Sequence, residues 1–267
     1  MFDDFAHAID SYWTQTTIGG GSLHIVDSAL RMELPSARIG TYTDAQVDDY
    51  GRRARSAFPW RPPLRMEVRA RSSLPAATTT SSVESTSILR GTAGFGFWNY
   101  PFSVRGDILM LPEAIWFFYA SPPSNMALVP QIPGWGWKAQ VVHSMHPDAL
   151  AASVPMGLTA TWARLTGQTQ MAAQWLQKLT GTQEALLPIA METWHTYVLE
   201  WRQSEARFWV DDILVLQALR PPTRPLGFVA WLDNQYAVVT PRGTFRFGTV
   251  ASEPEWFEID SVKIEPC

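Results

Sequence analysis

Four short stretches of the chain carry side chains suited to moving protons or gripping a polar ligand. Tyr42-Thr43-Asp44-Ala45-Gln46 and Trp231-Leu232-Asp233-Asn234-Gln235 each set an acid and an amide two residues apart. On a β-strand that spacing puts Asp44 with Gln46, and Asp233 with Gln235, on a common face. If both faces point inward, two carboxylates and two amides meet in one aromatic cavity, where burial raises a carboxyl pKa toward the range useful for proton transfer. The alternative places one or both pairs at strand ends, bonded to loops. The third stretch, residues 111–120, holds a single carboxylate, Glu113, with Ile115 and Phe117 at its same-face positions. The fourth contains His143, His146 and Asp148. Three residues apart on a strand sends the two histidines to opposite faces, so no metal is expected there, and His143 stands as a ligand-binding candidate.

Aromatic residues surround these groups. Trp98, Trp116, Phe118 and Trp231 are candidates to line a ligand surface, with Tyr100, Phe102 and Tyr119 beside them. Alternation requires that about half of such residues point into the core instead. Gly134-Trp135-Gly136-Trp137-Lys138 reads either as a sugar-stacking platform formed by Trp135 and Trp137, or as a glycine-permitted bend whose tryptophans pack inward. No phosphate-binding loop, dinucleotide fingerprint or Gly-x-Ser-x-Gly elbow occurs, so no nucleotide cofactor is indicated.

The elements that hold these residues read as strands. Apolar and polar residues alternate over 23–32, 63–70 and 197–201, and residues 206–210, Asp211-Asp212 and 213–216 predict a hairpin without the usual turn glycine. Residues 74–87, rich in Ser, Thr and Ala, predict an exposed loop. Residues 147–187 predict a helical insertion: Asp148 caps its start, and Met171, Trp175 and Leu179 repeat at intervals of four before Gly181. Thirteen Trp, 13 Phe and 20 Pro among 267 residues suit a large antiparallel structure, and no solenoid repeat is visible. The expectation is one all-β sandwich domain over 1–267, interrupted by the insertion.

A net charge of −4 supplies no footprint for nucleic acid or an anionic membrane, so neither is an expected partner. The single cysteine, Cys267, excludes an intramolecular disulfide. Met1-Phe2-Asp3-Asp4 has acid where a signal peptide has Lys or Arg, which predicts a cytoplasmic protein, or a secreted one if a leader has been removed.

Residues 192–201, Glu-Thr-Trp-His-Thr-Tyr-Val-Leu-Glu-Trp, followed by Phe208-Trp209-Val210-Asp211-Asp212, resemble the signature of the concanavalin A-like lectin/glucanase superfamily, in particular glycoside hydrolase family 16. Residues 41–46, 64–71, 94–99 and 256–264 fall in the family's order. The resemblance implies a jelly-roll of two antiparallel sheets with a ligand groove on the concave face. It also implies a structural calcium ion, for which Asp3, Asp4 and Asp260 are candidate ligands. Retaining enzymes of this family carry two glutamates in a Glu-x-Asp-x-(x)-Glu run, about 5–5.5 Å apart across the scissile bond. Glu113 alone cannot fill both roles, and the local echo Glu258-Ile259-Asp260 belongs to the terminal strand, so ordinary glucanase activity is not expected.

Three functions follow in order. The first is a small-molecule-binding protein or a non-hydrolytic enzyme of cyclase or isomerase type, with Asp233, Asp44 and Glu113 as acid/base candidates. The second is a carbohydrate-binding or divergent glycan-processing protein. The third is a non-catalytic interaction module. The ligand partner is accordingly a small molecule or a glycan.

Overall fold

A computed structural model describes residues 1–78, 81–82, 85, 87–100, 112–126, 128–129, 131–144, 181–239 and 245–267. Two large sheets and one small one account for the strands. The eight-stranded sheet contains β1 (Phe2–Asp3), β3 (Ser22–Val26), β4 (Ala29–Leu34), β6 (Leu64–Ser72), β12 (His195–Trp201), β13 (Glu205–Val210), β14 (Ile213–Leu219) and β18 (Glu255–Pro266). The seven-stranded sheet contains β2 (Thr14–Ile18), β5 (Asp44–Asp48), β7 (Thr92–Trp98), β8 (Glu113–Ala120), β10 (Gly136–His143), β11 (Gln183–Leu186) and β15 (Gly227–Asp233), in the order β11-β10-β8-β7-β15-β5-β2. β9 (Asn125–Met126), β16 (Gln235–Val239) and β17 (Phe245–Thr249) form the third. Every pairing inside the two large sheets is antiparallel. Among the described residues, no helix is long and apolar enough to cross a membrane.

Period-two alternation builds the sandwich. Phe95, Phe97, Ile115, Phe117, Ala230 and Leu232 from the seven-stranded sheet meet Met66, Val68, Tyr197, Leu199, Phe208 and Ile259 from the other in one core. Aromatic contacts cross between the sheets: Phe95 to Tyr197 at 5.2 Å and Phe117 to Phe208 at 5.3 Å. In β18 the register shifts between Ile259 and Ser261, so Ile259 and Val262 both face inward although they are three positions apart.

Several sequence expectations meet the structure here. The hairpin across Asp211-Asp212 forms, and both turn residues adopt positive φ, 48° and 65°, as a two-residue primed turn demands. The single strand expected over 23–32 is instead a second hairpin, β3 to β4, because Asp27 and Ser28 also take positive φ, 50° and 61°. The described residues of the 74–87 loop contain no strand or helix. Of the helical insertion expected over 147–187, residues 147–180, with Asp148, Met171, Trp175 and Leu179, lie outside the described residues. Its last part is a strand: β11 pairs with β10, matching Glu184 to Gln140.

Candidate functional site

Side chains that alternate with the core residues of the seven-stranded sheet project from its outer face. The register places them in rows. Asp44 of β5 lies opposite Asp233 of β15, which lies opposite Thr92 of β7. In the next row Gln46 faces Trp231, Trp231 faces Gly94, and Gly94 faces Phe118. In the third, Gly96 faces Trp116, Trp116 faces Gln140, and Gln140 faces Glu184.

Trp116 is the hub of an aromatic cluster. Its ring stacks on Phe118 at 5.3 Å and lies 5.3 Å from Trp231 and 6.0 Å from Trp98. Glycine opposite it is required: a Cβ at Gly96, where φ is 146°, would stand 2.6 Å from the Cα and Cβ of Trp116. All three indole N–H groups are spent on protein. Trp98 donates to the Tyr50 hydroxyl at 2.5 Å, Trp116 to Gln140 Oε1 at 2.7 Å, and Trp231 to Thr92 Oγ1 at 2.9 Å. The three indoles therefore have no N–H donor left for a ligand; Trp98 and Trp116 are half-buried and Trp231 is buried.

The polar end of the face is the Asp44/Asp233 pair. Asp233 Oδ1 accepts from Thr92 Oγ1 at 2.7 Å and from the Gln235 N–H at 3.0 Å, and burial raises its pKa to about 6. Burial, and then the charge of Asp233, push Asp44 up to about 8, against the opposing effect of a hydrogen bond with the Tyr42 hydroxyl. Both shifts run upward, so the coupled pair holds a proton to higher pH than isolated carboxyls would. Directly opposed residues on antiparallel strands have Cβ atoms roughly 4.5–5.5 Å apart, within reach of one ligand group.

Other sequence candidates fall elsewhere. Gln46 shares the face with Asp44 but its amide donates to Asp48 Oδ2 at 3.1 Å. Gln235 does not share a face with Asp233. The intervening Asn234 is fully buried and bonds Thr43, Thr41 and Val250, turning the chain into the third sheet and leaving Gln235 exposed. Trp137, expected as a ligand residue, shares its strand face with Ala139 and Val141 and is buried between the sheets against Phe95 and Tyr197. Trp135 packs on the same core and donates to the Thr78 carbonyl. The bend reading of that segment, rather than the platform, describes its geometry. Glu113 and His143 point to the core side as well. They lie opposite each other on β8 and β10 with 3.4 Å between Oε1 and Nε2, and burial raises the Glu113 pKa. They form a pair of their own, on the sheet face away from the aromatic cluster. His146 lies outside the described residues.

The calcium candidates of the resemblance each have protein partners. Asp3 accepts from Phe5 N and Trp13 Nε1, Asp4 from Ala6 N, and Asp260 pairs with Arg69 at 3.1 Å. Among the described residues no group of three or more acidic, His or Cys side chains is arranged to hold a metal.

Sequence reasoning missed Lys138, Gln140 and Glu184, which occupy the far end of the face. Lys138 Nζ donates to Glu184 Oε1 at 3.0 Å and to the Pro133 carbonyl; Gln140 Nε2 donates to Glu184 Oε2 at 2.7 Å. The available signal was alternation itself, since Lys138 and Gln140 interleave with the core residues Trp137, Ala139 and Val141.

Solved structures share this fold. An endo-acting O-glycanase from the human gut microbiota, described as initiating mucin breakdown, superposes with a TM-score of 0.55 at 13% identity, covering 100% of this chain and 98% of the other. A GlcNAcα1-4Gal-releasing endo-β-galactosidase from Clostridium perfringens gives 0.52 at 11% identity over 99% of this chain, which spans 61% of that enzyme's length. The β-glucanase of Bacillus licheniformis gives 0.52 at 11% identity, covering 100% and 98%. The fold is thus a concanavalin A-like jelly-roll sandwich of two antiparallel sheets. No protein-family model matches the chain, and no curated protein matches it in sequence.

Proposed function

We propose that this protein binds a glycan across the outer face of its seven-stranded sheet, with Trp98, Trp116 and Trp231 stacking on pyranose rings and Asp44 and Asp233 gripping hydroxyl groups. The observation that carries this reading is the aromatic cluster itself: three indoles with their N–H groups already satisfied, Trp98 and Trp116 half-buried and Trp231 buried, beside a polar pair. Such surfaces suit the C–H faces of sugars. The activities described for structures of this fold, on mucin O-glycans, galactosides and β-glucans, support a glycan over the substrate of a cyclase or isomerase.

Hydrolysis by the paired-glutamate route has no support. The outward positions of β8 are Ala114, Trp116, Phe118 and Ala120, and Glu113 faces the other way. Glycan processing remains a second reading because the Asp44/Asp233 pair sets two carboxyls with raised pKa side by side, groups suited to proton transfer.

The test is calorimetric titration with laminarin oligosaccharides and galactose-containing mucin O-glycans. Binding of at least one is expected, with Trp116→Ala weakening it tenfold or more, about 1.4 kcal/mol. Trp194→Ala, on the opposite sheet, should leave affinity unchanged. Laminarin should be recovered intact after incubation. Equal losses in both variants, or laminarin cleavage abolished by Glu113→Gln, would overturn the reading.

A further inference from the structure

The polar network at the β10–β11 end of the face has a direction. Trp116 Nε1–H can only donate, and it donates to Gln140 Oε1. Gln140 Nε2 donates to Glu184 Oε2, and Lys138 Nζ donates to Glu184 Oε1. Every proton points toward Glu184. The side-chain amide of Gln140 could be turned either way on its own, but a donor-only indole on one side and an acceptor-only carboxylate on the other fix it in one orientation. Lys138, itself anchored by the Pro133 carbonyl, is the counter-charge: its attraction opposes the effect of burial, which raises the Glu184 pKa.

Lys138, Gln140 and Glu184 are all buried. Removing a charge pair from water costs about as much as its attraction returns, and apolar residues of the same volume serve stability as well. What apolar residues cannot do is hold an indole N–H. Trp116 needs holding, because its ring sits between Trp98, Phe118 and Trp231 at three different tilts, 34°, 22° and 45°. Ring contacts of this kind are broad in angle. A 2.7 Å hydrogen bond is not.

We propose that Glu184 is a positioning residue for the sugar-stacking surface: through Gln140 it sets the ring plane of Trp116, while Lys138 bonds its other carboxyl oxygen. The proposal deepens the glycan reading and rests on it for its affinity consequence. The orientation of the ring itself does not depend on that reading.

The test uses the full chain and the indole N–H resonance of Trp116, assigned by its loss in Trp116→Phe. Glu184→Gln preserves shape but presents both a donor and an acceptor, so one junction in the chain must mismatch; the Trp116 resonance should shift or broaden without ligand. Affinity for the tightest glycan of the panel should fall about tenfold, the scale of a hydrogen bond to a charged group. The exchanged pair Gln140→Glu/Glu184→Gln satisfies every partner again, with Glu at 140 accepting from Trp116 and Gln at 184 bridging to Lys138. Both resonance and affinity should return toward wild type. Gln140→Leu, which removes the acceptor outright, should displace the resonance as Glu184→Gln does. A Trp116 resonance unmoved in Glu184→Gln or Gln140→Leu, or a folded exchange variant that restores melting temperature but not the resonance, would overturn the proposal. If wild type binds no panel glycan, the glycan reading fails alone, since the resonance still decides whether Glu184 positions the ring.

Discussion

Asp44 and Asp233 lie opposite each other on neighbouring strands, yet their surroundings separate their proton affinities. Asp233 is supported in its charged form by Thr92 and the Gln235 N–H, whereas Asp44 meets the charge of Asp233 in a buried setting. Asp233→Asn keeps volume and hydrogen-bonding capacity while removing that charge. If the pair processes a glycan, the variant should lose turnover while glycan affinity stays within roughly tenfold, about 1.4 kcal/mol. If the pair serves architecture, the melting temperature should drop and any turnover by folded protein persist. The sequence made this pair legible, because two Asp residues at the same phase of two alternating strands need only the correct register to meet. It did not make Gln235 legible. One buried amide, Asn234, redirects the chain, and no local pattern distinguishes an Asn that bonds three backbone groups from one in a surface turn.

Among the elements, β18 shows why a motif echo needs its strand. Glu258, from the run Glu258-Ile259-Asp260, is buried on the outward side of the eight-stranded sheet, paired with Arg31 at 2.6 Å and Arg71 at 2.8 Å. Arg31 and Arg71 lie over Trp256, and Arg71 and Arg69 over Trp194, making an alternating stack of guanidinium and indole rings. Glu258 thus locks β4, β6 and β18 together on the sheet remote from the aromatic cluster. Glu258→Ala strands two partly buried guanidinium groups and should cost about 3 kcal/mol. For a chain of this size that lowers the melting temperature by roughly 6–12 °C, with glycan affinity of the folded protein unchanged; thermal denaturation and titration together check it. Alternation predicted β6, β12 and the hairpin across Asp211-Asp212. It failed for Trp137 because tryptophan is equally suited to either face, and only the phase of Ala139 and Val141 decides. The Glu184 contact was beyond local reading, since it joins strands 44 residues apart.

Taken over the whole molecule, buried acids make stability depend on pH in an uncommon direction. Asp44 and Glu255 are raised to about 8, and Asp49 and Asp233 to about 6, in each case chiefly by burial. The same carboxyls titrate near 4 in the unfolded chain. Between those limits the folded state holds more protons, so stability is greatest at the acidic end of the window and falls as pH rises, by about 1.4 kcal/mol per unit for each such group. The loss is complete once pH passes about 8. Thermal midpoints should decline from pH 5.5 to 8.5, and Asp44→Asn should flatten the decline; a midpoint that climbs over that range would contradict the burial assigned to these acids.

The central claim, that a glycan lies on Trp98, Trp116 and Trp231, is tested most directly by following indole N–H resonances during titration with laminarin oligosaccharides and mucin O-glycans. Saturable shifts are predicted for those three indoles, with Trp137 and Trp201 in the inter-sheet core unmoved. Shifts confined to Trp194 and Trp256, or none with any glycan of the panel, would contradict it.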